Sequence, residues 1–151
     1  RNGITAMAEK SVIGRYVKAK FPELNLGTVL VKTDTGARSS SIHATDIEKF
    51  ERDGELWVKF NFIDDQDEGA KKPSEVPLWK EKYVRSSNGK KQKRYFIRTK
   101  IKFGNNKTYP IKISLTDRGK MRYPVLIGRR MLAGRFVVDV AKTFALGDEV
   151  R

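Results

Sequence analysis

Apolar and polar residues alternate along several stretches of this chain, and a repeat of two residues is the pattern of a β-strand. In "GELWVKFNFI", residues 54–63, every second position from Leu56 to Phe62 carries a large apolar side chain. The stretches "FIRTKIKF", residues 96–103, and "YPIKISL", residues 109–115, repeat the alternation. Successive side chains of a strand point to opposite faces, so this pattern is typical of sheets with one buried face. We therefore expect an all-β fold.

Turn and helix signals divide the remaining sequence. Asn88-Gly89 and Gly104-Asn105-Asn106 each lie between two strand-like stretches and predict hairpins. The polar segment "DDQDEGAKKPSE", residues 64–75, is interpreted as a loop or insertion. Helical signal is confined to "GRRMLAG", residues 128–134, which predicts one short C-terminal helix closed by a glycine. We expect a single domain over residues 7–151, with residues 1–6 a disordered or unrelated leader.

The charge composition predicts attraction to polyanions. The chain has 32 Lys and Arg against 18 Asp and Glu, a net charge of +14, and no acidic residue between positions 82 and 115. Such a balance suits nucleic acid, an anionic membrane surface or an acidic peptide, although it also describes a solvated surface. No apolar run reaches the length of a membrane span, so we expect no membrane partner. We expect a cytoplasmic protein, unless an export signal has been removed from its start.

The scarcity of histidine and cysteine excludes several chemistries. The chain has one histidine and no cysteine. A tetrahedral zinc site needs several such ligands, and a thiol mechanism needs a cysteine, so neither is expected. The sequence also lacks a glycine-rich loop for phosphates. We therefore expect no metal and no cofactor.

The strand-like run "VLVKT" leads directly into Asp34-Thr35-Gly36. One interpretation is an Asx turn, in which Asp34 caps its own loop. The other is a catalytic carboxylate, because the glycine allows backbone N–H groups to point at it. A second segment, "YPVLIGRRML", residues 123–132, is an apolar strand ending in Gly128. Asp-Thr-Gly followed much later by an apolar strand and glycine is the signature of one aspartic-protease lobe, and there the glycine permits close backbone approach.

With these motifs in place, the chain resembles the bacterial retropepsin-like proteins known by the label "ATP-dependent zinc protease", which are often encoded beside ATP-grasp ligases that add glutamates to protein tails. The matching stretches span residues 12–144 and are "VIGR", "DTGARSSSIHA", "VRSSNGKKQKR", "LTDR", "PVLIGRRMLAGRFVVDV" and "KTF". The resemblance implies a closed retropepsin-like barrel with one lobe per chain. It also implies an aspartic endopeptidase and a functional link to an ATP-grasp ligase.

Asp34 is the catalytic residue that the resemblance implies. The chain has one Asp-Thr-Gly and is too short for two lobes, so the second Asp34 must come from another copy in a homodimer. Supporting roles in the loop fall to Thr35, Gly36, Ala37 and Gly128. The net charge and the ligase association suggest an acidic or glutamylated peptide as substrate. Candidate substrate-binding residues are Arg38, His43, Arg85, Lys90, Lys91, Arg118 and Arg129.

Several alternatives stay open at this stage. The same fold could serve as a catalytically inactive interaction module. A basic β-barrel that binds nucleic acid or the ribosome is another alternative, with Tyr83, Tyr95 and Phe96 among the basic residues and only non-specific binding expected. Each candidate arginine has a structural ion pair as its competing role. His43 is favoured as a structural hydrogen-bonding residue over a catalytic one.

Overall fold

The computed structural model describes residues 9–24, 26–64, 70–85, 89–117 and 123–151. Ten strands and one helix are found in these ranges. The strands are β1 (Ser11–Lys20), β2 (Val29–Thr33), β3 (Ser40–Arg52), β4 (Glu55–Asp64), β5 (Ala70–Pro77), β6 (Lys80–Arg85), β7 (Lys91–Phe103), β8 (Thr108–Thr116), β9 (Val125–Ile127) and β10 (Phe136–Thr143), and the helix is α1 (Arg129–Leu132). No helix in the described ranges is long and apolar enough to cross a membrane.

Six strands close into a barrel in the order β1-β2-β9-β3-β8-β7. Pairing of β7 back onto β1, with Ala19 opposite Phe103, completes the ring. Closure removes the free edges that an open sheet would expose. The expected all-β closed barrel with one short helix is therefore confirmed.

The barrel is filled by the inward-facing side chains of its strands. Large core side chains with almost no exposure include Phe103 of β7, Phe21 just after β1, and Phe62 of β4, a strand outside the six-stranded ring. In β4 the alternating side chains of Val58, Phe60 and Phe62 are buried as expected, whereas Leu56 is 46% exposed. Leu56 lies near the far end of the β3–β4 arm, where most of the neighbouring β3 side chains are exposed as well.

Strand β5 corrects one expectation. Residues 70–75 were expected to belong to a loop, but they form part of β5 and pair with β4, with Asn61 opposite Pro73. Proline cannot donate a backbone hydrogen bond, and it is tolerated here because β5 is an edge strand that pairs with β4 alone. The rest of the expected loop includes residues 65–69, which lie outside the described ranges.

Both expected hairpins are present. Strands β6 and β7 are antiparallel, with Arg85 opposite Lys91, and Asn88 at their junction lies outside the described residues. Strands β7 and β8 are also antiparallel and are joined through residues 104–107. Strand β6 thus extends the barrel wall beside β7, and β10 adds to β1 on the other side.

Candidate active site

Asp34 lies where β2 leaves the barrel. Strand β9 is inserted between β2 and β3, parallel to β2 and antiparallel to β3. The β2–β9 ladder aligns Thr33 with Ile127, and the Asp34 N–H donates to the Ile127 carbonyl at 2.8 Å. The Ala37 N–H then donates to the Asp34 carbonyl at 3.2 Å, which closes a tight loop. The position of Asp34 is thus set by backbone hydrogen bonds to the barrel wall.

The Asp34 carboxylate is half-buried and accepts a hydrogen bond from its own loop. The Gly36 N–H donates to Asp34 Oδ1 at 3.0 Å. This is the Asx turn that sequence allowed, and it is also a backbone N–H directed at the carboxylate, so the two interpretations describe one geometry. Among the described residues, no Lys or Arg forms an ion pair with Asp34. The carboxylate is therefore oriented by the loop, and no cation of the described ranges neutralises it.

Gly128 brings the end of β9 against the Asp34 loop. A Cβ at this position would lie 2.7 Å from the Ser39 carbonyl carbon and oxygen and 2.8 Å from the Ala37 carbonyl oxygen. All three atoms belong to the backbone, so no side-chain movement would relieve the contact. Glycine is required here because two chain segments approach more closely than any side chain allows. This is the close approach that the two motifs predicted.

Helix α1 holds the loop from the other side. The Arg129 N–H donates to the Ala37 carbonyl at 2.8 Å, and the Arg130 N–H donates to the Arg38 carbonyl at 3.1 Å. The Arg129 guanidinium adds a bond from Nη1 to the Thr35 carbonyl at 3.0 Å. Arg129, a candidate for substrate binding, is thus engaged in bracing the Asp34 loop. Thr35 and Gly36 remain exposed at the loop tip.

Two hydroxyl groups that sequence reasoning missed fix the base of the site. Ser40 Oγ accepts a hydrogen bond from the buried Gly128 N–H at 3.0 Å. Thr33 Oγ1 lies 3.1 Å from the carbonyls of both Gly14 and Arg15, which anchors the end of β2 to β1. Serine and threonine are common in strands and turns, and only the adjacency of these two to the Asp34 motif could have drawn attention to them.

His43 lies in the core. Its side chain is 2% exposed, and its Nδ1 lies 3.3 Å from the Thr116 carbonyl oxygen. Its backbone N–H donates to the Pro124 carbonyl oxygen at 2.8 Å. The burial and the contact with Thr116 favour the structural role for His43 over substrate binding.

The remaining candidates within the described ranges fall into two groups, by the Asp34 loop and at the β6–β7 hairpin. Arg38 follows the Asp34 loop and is exposed. Arg85, Lys90 and Lys91 lie at the β6–β7 hairpin, where Arg85 Nη1 donates to the Gly89 carbonyl at 3.3 Å. Arg118 lies outside the described ranges. Within those ranges, no group of three His, Asp or Glu side chains is placed to hold a metal ion.

An Asp-Thr-Gly loop at the end of one strand, crossed by a strand that ends in glycine, on a six-stranded closed barrel, defines a retropepsin-like lobe. The chain matches, over residues 12–149, the family model described as "Retropepsin-like aspartic endopeptidase RimB". It therefore belongs to the RimB-like family.

Curated relatives add a second association. The chain is 35% identical over 143 residues to a "Probable alpha-L-glutamate ligase" of Shewanella pealeana, covering 93% of this chain and 31% of the relative. A relative of the same name from Desulfotalea psychrophila is 34% identical over 140 residues, covering 92% and 30%. The chain thus spans about a third of the length of these relatives.

A solved structure shares the fold. The crystal structure of a Legionella pneumophila protein of unknown function superposes with a TM-score of 0.75 at 30% identity, covering 91% of this chain and 99% of that one. The barrel described above is therefore also the architecture of an experimentally determined relative.

Proposed function

We propose that this chain is an aspartic peptidase of the retropepsin type, in which two copies of Asp34 activate water. The observation that carries the proposal is the Asp34 loop. Its carboxylate is oriented by the Gly36 N–H at 3.0 Å and makes no ion pair among the described residues. A general base must be held in place and must remain able to accept a proton, and this arrangement meets both requirements.

The mechanism requires two facing carboxylates that share one proton. The ionised Asp34 removes a proton from water, and the water oxygen attacks the carbon of the scissile carbonyl. The protonated Asp34 of the other copy donates a hydrogen bond to the carbonyl oxygen, where negative charge develops as the C=O π bond opens. The proton taken from water then passes to the amide nitrogen, and the C–N bond breaks as the C=O bond forms again, which releases a carboxylic acid and an amine. Two carboxylates about 3 Å apart cannot both ionise, which keeps one of them protonated.

The second Asp34 is proposed to come from another copy of the chain. The sequence contains one Asp-Thr-Gly, and the described residues form one barrel around it. A two-fold axis beside the loop would bring the exposed tips at Thr35 and Gly36 together, so that each Thr35 contacts the opposite loop. Activity should then be lost on dilution below the dimer dissociation constant.

The proposed substrate is an acidic peptide, in particular a glutamylated tail. The net charge of +14 supports binding of polyanions. The matching segment of each curated relative is about a third of a chain named as a probable glutamate ligase, which supports a functional link to such a ligase. A ligase that adds glutamates produces the kind of tail that this peptidase would cut.

The proposal is tested by Asp34→Asn against a matched control, Asp139→Asn. Asp139 lies in β10, and its Oδ1 accepts from the Ala141 N–H at 3.0 Å, the same type of side-chain-to-backbone hydrogen bond that Asp34 makes with Gly36, so the amide oxygen of asparagine can keep the bond at either position. With peptides ending in oligoglutamate, followed from acidic to neutral pH, we expect Asp34→Asn to lose at least about 100-fold in rate. Asp139→Asn should cleave like the wild type.

Two outcomes would contradict the proposal. If Asp34→Asn cleaves as fast as the wild type, the reaction does not use this carboxylate. If no protein cleaves any peptide across the pH range, a catalytically inactive interaction module with the same fold becomes the better explanation.

A further inference from the structure

A cationic cavity of about 480 Å³ lies between strands β6–β8 and helix α1. Its lining includes Trp79 and Ser39 but no Asp or Glu among the described residues. The cations that line it are Lys80, Lys82, Arg98, Lys112, Arg130 and Arg135. We call this cavity the Trp79 pocket. Its composition favours anions over cations.

Three of these cations surround one indole ring. Lys112 Nζ lies 4.8 Å, Lys80 Nζ 4.9 Å and Arg98 Cζ 5.5 Å from the centre of the Trp79 ring. Each contact is a cation–π interaction that holds a flexible side chain in position. The indole therefore acts as a support that gathers positive charge at one place, which lowers the cost of ordering these side chains when an anion binds.

The gathered cations repel one another and lack carboxylate partners in the described part of the chain. Arg98 lies directly opposite Lys112 in the β7–β8 ladder, an arrangement that is destabilising for like charges. None of the ion pairs found among the described residues includes a cation of the pocket. The nearby Glu23 instead accepts a hydrogen bond from Thr99 at 3.3 Å and does not line the cavity. An anion in the pocket would relieve this repulsion.

The electrostatics of Lys82 agree with this geometry. The positive charge of Lys80 lowers the pKa of Lys82, with further lowering from burial and from Arg130 and Arg38. Like charges disfavour the protonated form, whereas a carboxylate nearby would favour it.

The Trp79 pocket adjoins the Asp34 loop. Ser39 lines the pocket and belongs to the segment that joins Asp34 to β3. Arg130 also lines it, and its N–H donates to the Arg38 carbonyl at 3.1 Å. The preceding residue, Arg129, bonds to the Thr35 carbonyl. One helix thus contacts both the Asp34 loop and the pocket.

We propose that the Trp79 pocket binds side-chain carboxylates of an acidic peptide next to the Asp34 loop, and that Lys80, Lys112 and Arg98 determine the preference for acidic sequences. This inference rests on the proposed peptidase function. Nucleic acid is the less suitable ligand for the pocket, because base stacking needs an open aromatic face and the Trp79 ring is surrounded by three cations.

The test measures binding separately from cleavage. In the full chain carrying Asp34→Asn, the pocket variant Lys80→Gln/Lys112→Gln is compared with Lys71→Gln/Lys107→Gln. The control removes the same charge from exposed positions that do not line the pocket. Fluorescence anisotropy with a labelled oligoglutamate peptide gives the Kd of each protein, and a single-stranded oligonucleotide of equal charge is the second probe.

We expect the pocket variant to raise the Kd for oligoglutamate at least about tenfold, since two charge-assisted contacts are lost, and the control to change it less than about twofold. If both variants lose the same affinity for oligoglutamate, binding depends on general surface charge and not on the pocket, which would overturn the proposal. Binding of the oligonucleotide that is as tight and as sensitive to the pocket variant would assign the site to nucleic acid instead.

Cleavage by proteins that retain Asp34 separates this proposal from the proposed function. If oligoglutamate binds through the pocket but is never cut, the pocket stands and the peptidase function fails. If it is cut equally well by the wild type and the pocket variant, with the same KM, the peptidase stands and the pocket is wrong.

Discussion

Replacing Gly128 with alanine tests whether the crossing of β9 over the Asp34 loop is as tight as described. Gly128 has φ −94° and ψ −178°, an extended conformation that alanine adopts without strain. Any cost must therefore come from the space around the added methyl group. That group would lie 2.7 Å from the Ser39 carbonyl atoms, whereas ordinary contact begins at 3.4 Å.

The neighbouring atoms have little freedom to move. The backbone at Ala37 and Arg38 is fixed by hydrogen bonds from Arg129 and Arg130, and Gly128 itself donates to Ser40 Oγ. Overpacking of a rigid site costs about 1–3 kcal/mol, and weakening one or two of these bonds adds about 1 kcal/mol. We expect Gly128→Ala to lower the free energy of unfolding by about 3 kcal/mol.

Urea denaturation followed by circular dichroism measures this loss, with all proteins at the same concentration because dimerisation would add to stability. Gly27→Ala is the matched control. Gly27 is exposed, and a Cβ there would meet only Lys72 Nζ at 3.9 Å, so its effect should stay within about 0.5 kcal/mol. If Gly128→Ala is as stable as Gly27→Ala, the close approach is not present and the account of the loop is wrong.

Two further substitutions probe the site and the pocket. Ser40→Ala leaves the buried Gly128 N–H without its acceptor, so it should lower the free energy of unfolding by about 1–3 kcal/mol in urea denaturation. The control is Ser74→Ala, which removes a buried hydroxyl with no hydrogen-bond partner among the described residues and should cost much less. Equal losses in the two variants would contradict the role of Ser40. Lys80→Gln should raise the pKa of Lys82 toward its ordinary value in a titration followed by NMR, because the Lys80 charge is the largest cause of the lowering. The pKa of Lys82 is lower in the folded state than in the unfolded state, so this repulsion opposes folding at neutral pH and is relieved as the pH rises through the lowered pKa. An unchanged pKa of Lys82 in Lys80→Gln would contradict the pocket geometry.

Strands could be predicted from the sequence where the burial of one face determined the pattern of residues. Alternation in β4, β7 and β8 identified strands because one face of each is buried in the hydrophobic core. Prolines and charges in β5 were interpreted as a loop, since a sequence does not reveal that a strand lies at an edge, where proline is tolerated. The position of a strand at the edge of a sheet is known only from the sheet topology.

Only part of the site could be predicted from the sequence. Asp34 and Gly128 belong to two short motifs that can be recognised in the sequence, whereas Ser40 and Thr33 act through contacts with backbone that is distant in sequence. The Trp79 pocket gathers cations from β6, β7, β8, α1 and the segment between α1 and β10, and no short stretch contains them together. The basic stretch was visible in the sequence, but the place where its charge concentrates depends on strand register.

The proposed dimer and the proposed substrate are physically connected through charge. Each chain carries a net charge of +14, so two copies repel each other until counterions or an anionic ligand offset the repulsion. The Asp34 loop has a fixed base and an exposed tip, which suits close pairing, but the cations of the Trp79 pocket lie beside it. An acidic peptide bound between two copies would neutralise part of this charge at the point where the loops must meet. Substrate binding and assembly of the catalytic pair would then favour each other, because each lowers the electrostatic cost of the other.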